Sequence, residues 1–347
     1  METVTLTAEL WFDHEPQLDP DAVPGAVPAP GISAVAYVLA KESHTMRELA
    51  ASGELESEPE LLERFGFGSV RIAALETPYE LALEAASALL REGDIDPSSI
   101  DALIYCGAPS NISFSTPARA ADDARGQCDT RRFRYPATRL QFELGLFRAS
   151  VVGLDQLACT AILSAVRWAR ALCIAEGVDR VLCVSSDFYP SEAGREAITN
   201  CTSDAACAVL VERNATRNRI VGAASVTKGF YWSADAMRDE VMASYFPTAL
   251  HVIRQTVTSA GWKACDVDWI LPHNISSVSW DILLRLAALP NARLWNANIA
   301  RIGHTLAGDN FINLRDAESC GAISSGDRLL MFSYGYGAHW TGLALEA

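Results

Sequence analysis

The chain reads as an α/β protein on three observations. Short apolar runs of strand length alternate with longer stretches whose apolar residues recur at helical spacing. The alternation runs through twice. And one strand-to-helix junction, Leu-Ala-Cys159-Thr-Ala, carries a cysteine among small residues. The two passes predict an N-terminal extension (1–30), a first half (31–215) and a second half (216–347), with helices covering mostly parallel sheets.

The elements follow in order. Residues 3–12 have strand character, and 16–30 are Pro-rich and read as a surface loop. Residues 31–39 are a buried strand, and helical stretches follow around 45–52 and 58–65. Residues 77–91 form an amphipathic helix with Thr77 as N-cap, Pro78 in the first turn and Glu80 placed to complete a capping box. A buried strand at 100–107 leads into a polar loop with Arg125, Arg131, Arg132 and Arg134, then a helix at 136–144. After a short strand from Ser150, apolar residues recur at helical spacing over 160–176, and Gly177 closes the helix. Strands at 180–186 and 205–211 complete the first half. In the second half, strands are expected at 220–227, 267–272, 329–332 and 341–345, and helices at 239–260, 276–289 and 310–320.

Composition narrows the function. The formal net charge is -15, which disfavours nucleic acid and anionic membranes, since both call for a basic footprint. No run of about 18 uninterrupted apolar residues marks a membrane span, and the N-terminus lacks the pattern of a signal peptide. The nine cysteines form no CxxC pair or other metal spacing, which points to a reducing cytoplasm and to no metal site. No Gly-rich loop for a dinucleotide or nucleoside triphosphate is present, so no permanently bound cofactor is expected.

The chemistry gathers at four places. Cys159 sits where a strand hands over to a helix, and there free N–H groups and the helix dipole stabilise a thiolate. A free cysteine is more often a small buried hydrophobe; the distant segments set this one apart. His273, in Trp269-Ile-Leu-Pro-His273-Asn274, stands just past a buried strand, where α/β sites usually gather. His304 lies in Ile302-Gly-His304-Thr, ahead of a helix. The turn Tyr334-Gly-Tyr-Gly337 can bring a backbone N–H close to a ligand. Asp309 is placed either to open the last helix or, if the loop folds back, to orient His304.

In order and context these segments resemble the ketoacyl synthase III-like branch of the thiolase superfamily. The likeness runs from Gly31 to the end, and includes the Gly66–Ala73 stretch, Tyr135-Pro-Ala-Thr-Arg, and Ser203-Asp-Ala-Ala-Cys. It implies a thiolase-like fold of two similar halves in a layered α-β-α-β-α architecture. Cys159 would take an acyl group from a coenzyme A or acyl carrier protein thioester. The N–H groups of Cys159 and Gly337 would form the oxyanion hole, and His273 would act as donor or base toward the second substrate. Where condensing members usually carry asparagine, this chain has His304. An imidazole can replace the amide as a donor, and it can also serve as a base, which an amide cannot. The resemblance therefore implies decarboxylative condensation with a malonyl-type thioester in specialised fatty-acid or polyketide biosynthesis. Its rival is transfer of the acyl group to oxygen, nitrogen or sulfur, and a non-catalytic partner subunit is a third reading.

Arg64, Tyr135, Asn274 and Asp309 are the expected substrate-binding residues. Glu60 or Leu61 stands where the family has an aromatic for the nucleotide of coenzyme A, and Val278 where it has a basic residue. An acyl carrier protein is thus the favoured thioester carrier, with acyl-CoA as the other, and Arg131, Arg132, Arg134 and Arg139 a candidate patch for it. The family also implies a cytoplasmic homodimer, with the Tyr135 loop lining the partner's acyl tunnel.

Overall fold

The computed structural model describes residues 29–107, 135–190, 194–198, 200–233 and 236–347. The strand expected at 3–12, nearly all of the Pro-rich stretch, and Arg125, Arg131, Arg132 and Arg134 lie outside these residues. The first half opens with β1 (Gly31–Leu39). Then come β2 (Glu42–Thr45), α1 (Met46–Ser52), α2 (Pro59–Arg64), β3 (Ser69–Ile72) and α3 (Pro78–Glu92). It continues with β4 (Ala102–Cys106), α4 (Pro136–Glu143), β5 (Ser150–Leu154), α5 (Ala161–Ala175) and β6 (Arg180–Asp187). It closes with β7 (Glu196–Ala197), β8 (Asn200–Cys201) and β9 (Ala205–Glu212). The second half runs β10 (Arg219–Thr227), α6 (Arg238–Ser259), β11 (Trp269–Pro272), α7 (Ser277–Ala287) and β12 (Arg293–Leu294). It ends with α8 (Ala297–Ile302), α9 (Asp309–Ser319), β13 (Arg328–Gly335) and β14 (His339–Glu346).

Ten strands form one sheet in the order β12-β11-β13-β14-β10-β1-β9-β6-β4-β5. Read outward from the centre, β1-β9-β6-β4-β5 and β10-β14-β13-β11-β12 have the same connectivity. The two runs join through the antiparallel pair Gly31 and Arg219. We take them as two equivalent halves meeting between β9 and β10. The expectation of mostly parallel sheets is corrected: β4 is parallel to β5 and β6, and β11 to β12 and β13. The neighbours of β9 and β14, and the central pair, are antiparallel. The cause is visible at β13–β14, where three residues, 336–338, join the strands as a hairpin and leave no room for a crossover helix.

Three apolar clusters define the layers. One lies outside the first-half strands under α3 and α4 and includes Leu89, Leu103 and Leu140. A second lies under α6 and α7 outside the second-half strands and includes Val252, Trp280 and Phe332. Between the two sets of strands lies the third, built on α5 and α9, with Ile162, Val166, Phe311 and Leu314. This is an α-β-α-β-α stack. With the turn before it, α5 (Ala158–Ala175) is long and apolar enough by composition to cross a membrane, but more than half of it is buried inside the protein. A helix packed on both sides needs apolar residues around most of its circumference. The capping box of α3 forms as expected: Glu80 N–H donates to Thr77 Oγ1 at 3.2 Å, and Thr77 N–H to the Glu80 carboxylate at 2.8 Å.

Candidate active site

Cys159 sits in a single tight turn, Ala158–Thr160, that runs directly into α5. The approach is bent: Gln156 and Ala158 adopt φ of +67° and +46°, a conformation that costs a residue with a Cβ about 1–2 kcal/mol. The end of β13 holds this turn. Ser333 Oγ donates to the Cys159 carbonyl at 2.9 Å. A Cβ on Gly335 would stand 2.5 Å from the Leu157 carbonyl and 3.1 Å from Cys159 N, so glycine is required for the strand to close on the nucleophile's amide.

His304 is fixed at its backbone by the segment after β8. Its N–H donates to the Cys201 carbonyl, and its carbonyl accepts from Ser203 N–H, each at 2.8 Å. The preceding Gly303 has φ +60°, and a Cβ there would meet the Cys201 carbonyl at 2.7 Å. The residue is 6% exposed, with Nδ1 2.5 Å from Asp309 Oδ2. The Cys159 side chain is near enough to act on the ring as well. Burial works against the cationic ring, but the Asp309 carboxylate, and after it Cys159, overcome that, so His304 titrates well above an ordinary histidine. Asp309 is fully buried at the first position of α9. It also accepts from Thr305 N–H, Thr305 Oγ1 and Asn274 N–H, each at 2.6 Å. The loop does fold back, and Asp309 both opens the helix and holds the histidine.

His273, 1% exposed, stands at the end of β11 with its ring centroid 6.0 Å from that of His304. Burial, and then the neighbouring His304, hold it well below the ordinary histidine range, so it is neutral. Its carbonyl accepts from Trp280 Nε1 at 2.9 Å, and its Nε2 pairs with the Tyr245 hydroxyl at 3.3 Å. Cys159, His273, His304 and Tyr245 line one cavity of about 130 Å³, whose wall includes apolar groups such as Ile198, Met242 and Phe246 and the polar Asn200, Thr202 and Ser279.

The other expected site residues divide. Asn274 is fully buried and is not among the residues lining the cavity of Cys159. Its amide donates to the Gly303 carbonyl at 2.9 Å and accepts from Asn313 Nδ2 at 2.9 Å, so it ties the His273 loop to the His304 loop. Asp309 likewise holds side chain and backbone rather than substrate, because every contact it makes is to the protein interior. Arg64 is exposed at the end of α2; the next residue, Phe65, accepts from Ser277 N–H at the head of α7, outside the cavity. Tyr135 is 67% exposed at the start of α4 and is not part of this chain's cavity. Gly337, at φ +85°, packs beside His339, while Tyr336 lines the cavity and Gly335 closes on Cys159. Of the four arginines of the candidate patch, Arg139 is the one described, and it is engaged: it pairs with Glu143 at 2.7 Å and stacks over Tyr79. Tyr245 gave no signal in the sequence, as a single aromatic on a helix reads as core.

The doubled five-strand order, with a cysteine at a helix head and two buried histidines on one cavity, is that of a thiolase-type fold. Comparison with known proteins narrows this. Residues 257–347 match the family model described as 3-oxoacyl-[acyl-carrier-protein] synthase III C terminal. Beta-ketoacyl-[acyl-carrier-protein] synthase III 2 of Streptomyces coelicolor is 29% identical over 236 residues, covering 61% of this chain and 68% of that protein. The Aquifex aeolicus synthase III is 24% identical over 298 residues, 82% of this chain and 88% of the relative. The crystal structure of a synthase III from A. aeolicus superimposes with a TM-score of 0.76 at 22% identity, covering 92% and 100% of the two chains. ChlB3, described as an acyltransferase, shares the fold with a TM-score of 0.76 at 18% identity, over 92% and 98%. The chain is thus similar to ketoacyl synthase III proteins, in sequence over most of its length and in fold.

Proposed function

We propose that the protein is a condensing enzyme that works through an acyl-cysteine. The observation that carries this is one cavity lined by Cys159, by neutral His273 and by His304, whose ring is held by buried Asp309. Cys159 Sγ attacks the thioester carbonyl of the first substrate. The thiol proton is held on His304 before the attack, so sulfur attacks as thiolate, and that proton leaves on the departing carrier thiol. The tetrahedral oxyanion is held by Cys159 N–H and an N–H of the 335–337 turn. A malonyl-type thioester then loses carbon dioxide, and the resulting enolate carbon attacks the acyl carbonyl. A carbon–carbon bond forms, and Cys159 departs as thiolate; one proton taken up from solvent by His304 restores the resting site.

One feature favours a second reading. His304 is oriented by a buried carboxylate in the way that general bases are held. An enolate needs only a donor, whereas an alcohol, amine or thiol acceptor needs a base. In this reading His304 takes the acceptor's proton as its oxygen, nitrogen or sulfur attacks the acyl carbonyl and Cys159 leaves.

The thioester is carried by an acyl carrier protein in preference to coenzyme A, since the stacking aromatic and the basic residue at 278 are absent. The working unit is a homodimer. Edge strand β5 leaves Val152 exposed, and Phe142, Phe147 and Trp168 are exposed as well, an apolar surface suited to a second copy.

Intact mass after incubation with short acyl thioesters, on coenzyme A and on carrier protein, tests the proposal. An adduct absent in Cys159→Ala is expected. Adding malonyl carrier protein should then yield a longer ketoacyl product with release of carbon dioxide. Transfer without carbon dioxide supports the second reading, and no adduct with any donor rejects both.

A further inference from the structure

Both nitrogens of His273 are withheld from the cavity. Nδ1 is buried and has no protein partner, and Nε2 is taken by the Tyr245 hydroxyl. Tyr245 is 7% exposed and lines the cavity, so the hydroxyl bonded to the imidazole belongs to the wall of the space where a second substrate would sit. The other phenol at this end of the cavity, Tyr334, has its hydroxyl oxygen buried without a protein partner, so no imidazole stands behind it. Tyr245 is held in place by packing: its ring meets Phe246 at 5.2 Å and Tyr334 at 5.5 Å between centroids, both edge-on. It belongs to α6, and its position is therefore set by the helix rather than by a loop.

We propose that Tyr245 is a catalytic residue, whose O–H donates to the carbonyl oxygen of the second substrate, and that His273 is the positioning residue behind it. This rests on the acyl-cysteine reading above. The neutral imidazole carries its proton on Nε2 and donates it to Tyr245 Oη, which turns the phenol's own proton toward the substrate. The opposite tautomer would bury an N–H at Nδ1 with no acceptor, and buried orphan donors are rarer and more costly than under-used acceptors. Two hydrogen bonds in line polarise one another, so the imidazole strengthens the phenol as a donor. No proton is transferred: the phenol remains protonated, as burial raises its ionisation far above neutral pH, and it stabilises negative charge developing on oxygen.

Tyr245→Phe keeps the ring and removes the donor. Expected is Cys159 acylation within about twofold of wild type in single turnover, and a second half-reaction slowed about 10²–10³-fold, the usual effect of losing one oxyanion donor. His273→Ala should slow the same step, and the double variant should be no slower than the worse single variant. Full activity of Tyr245→Phe in the second half-reaction, or losses that multiply in the double variant, would overturn the proposal and leave His273 as the direct donor. A readout free of turnover separates this from failure of the acyl-cysteine reading. Ring ¹⁵N shifts of histidine-labelled protein should show His273 protonated at Nε2 in wild type and altered in Tyr245→Phe. Protonation at Nδ1, or shifts unmoved by Tyr245→Phe, would refute the pairing whatever the enzyme loads.

Discussion

Oδ2 of Asp309 lies 2.5 Å from Nδ1 of His304, and both side chains are buried. The pair holds a positive ring against the nucleophile in a place where burial alone would strip its proton. A histidine raised by a partner stabilises the fold fully below its unfolded value, about 6.5, and that contribution is lost as pH rises through the raised folded value. Asp309→Asn removes the cause. Wild type should exceed this variant in urea-unfolding stability most at the acid end of a pH series, with the gap closing as pH rises. A gap that widened toward alkaline pH would contradict the assignment. Loading of Cys159 in the variant should slow by about 10²-fold or more, as for a misheld general base.

Substitution of His304 itself separates the two reactions. His304→Asn keeps a donor and loses the base; His304→Ala loses both. For condensation, Asn should be much less harmful than Ala, whose expected cost is about 10²–10³-fold. For transfer to oxygen, nitrogen or sulfur, both should lose the ~10²–10⁴-fold contribution of a base. Product formation per acylated enzyme, measured for the two variants side by side, gives the answer.

Asn274 should behave as a structural latch. Asn274→Ala leaves the Gly303 carbonyl and Asn313 amide short of a partner, at a cost of about 1–3 kcal/mol. The thermal midpoint should fall, with KM for the thioester little changed. A raised KM with an unchanged midpoint would return Asn274 to the substrate.

Gly335→Ala tests the closure on the nucleophile. Its Cβ would overlap the Leu157 carbonyl, so the β13 end must retreat, at about 1–3 kcal/mol. Acylation of Cys159 should fall steeply in the surviving folded protein, whereas Gly229→Ala, where nothing lies within 4 Å and φ is not left-handed, should leave acylation as it is.

Much of this was readable in the residues, for reasons that differ from place to place. The α3 start was legible because Thr77, Pro78 and Glu80 satisfy its free N–H groups locally. The Cys159 junction was legible because α5 shows its helical period directly after a strand. Strand direction was not legible. A fully buried strand such as β9 presents apolar residues on both faces, and the pattern is the same whichever way its neighbours run. Asp309 could be placed on α9 from sequence, but its turn back to His304 depends on positive φ at Gly303 and Leu306, and a leucine there carries no such signal. Tyr245 was missed because it meets His273 through the packing of α6 on the second-half strands, a contact across 28 positions of sequence.

The burial of α5 between the two sets of strands has a consequence for how this protein can change. The sulfur is anchored to the part of the molecule that opens only when the whole fold opens, so its amides should be among the last to exchange with solvent. No single substitution can shift the nucleophile without disturbing both halves together. New substrates must therefore be won at the cavity wall, at positions such as Ile198, Met242 and Phe246, while the reacting atom stays still. Diversity in such a protein is a matter of the mould around a fixed point.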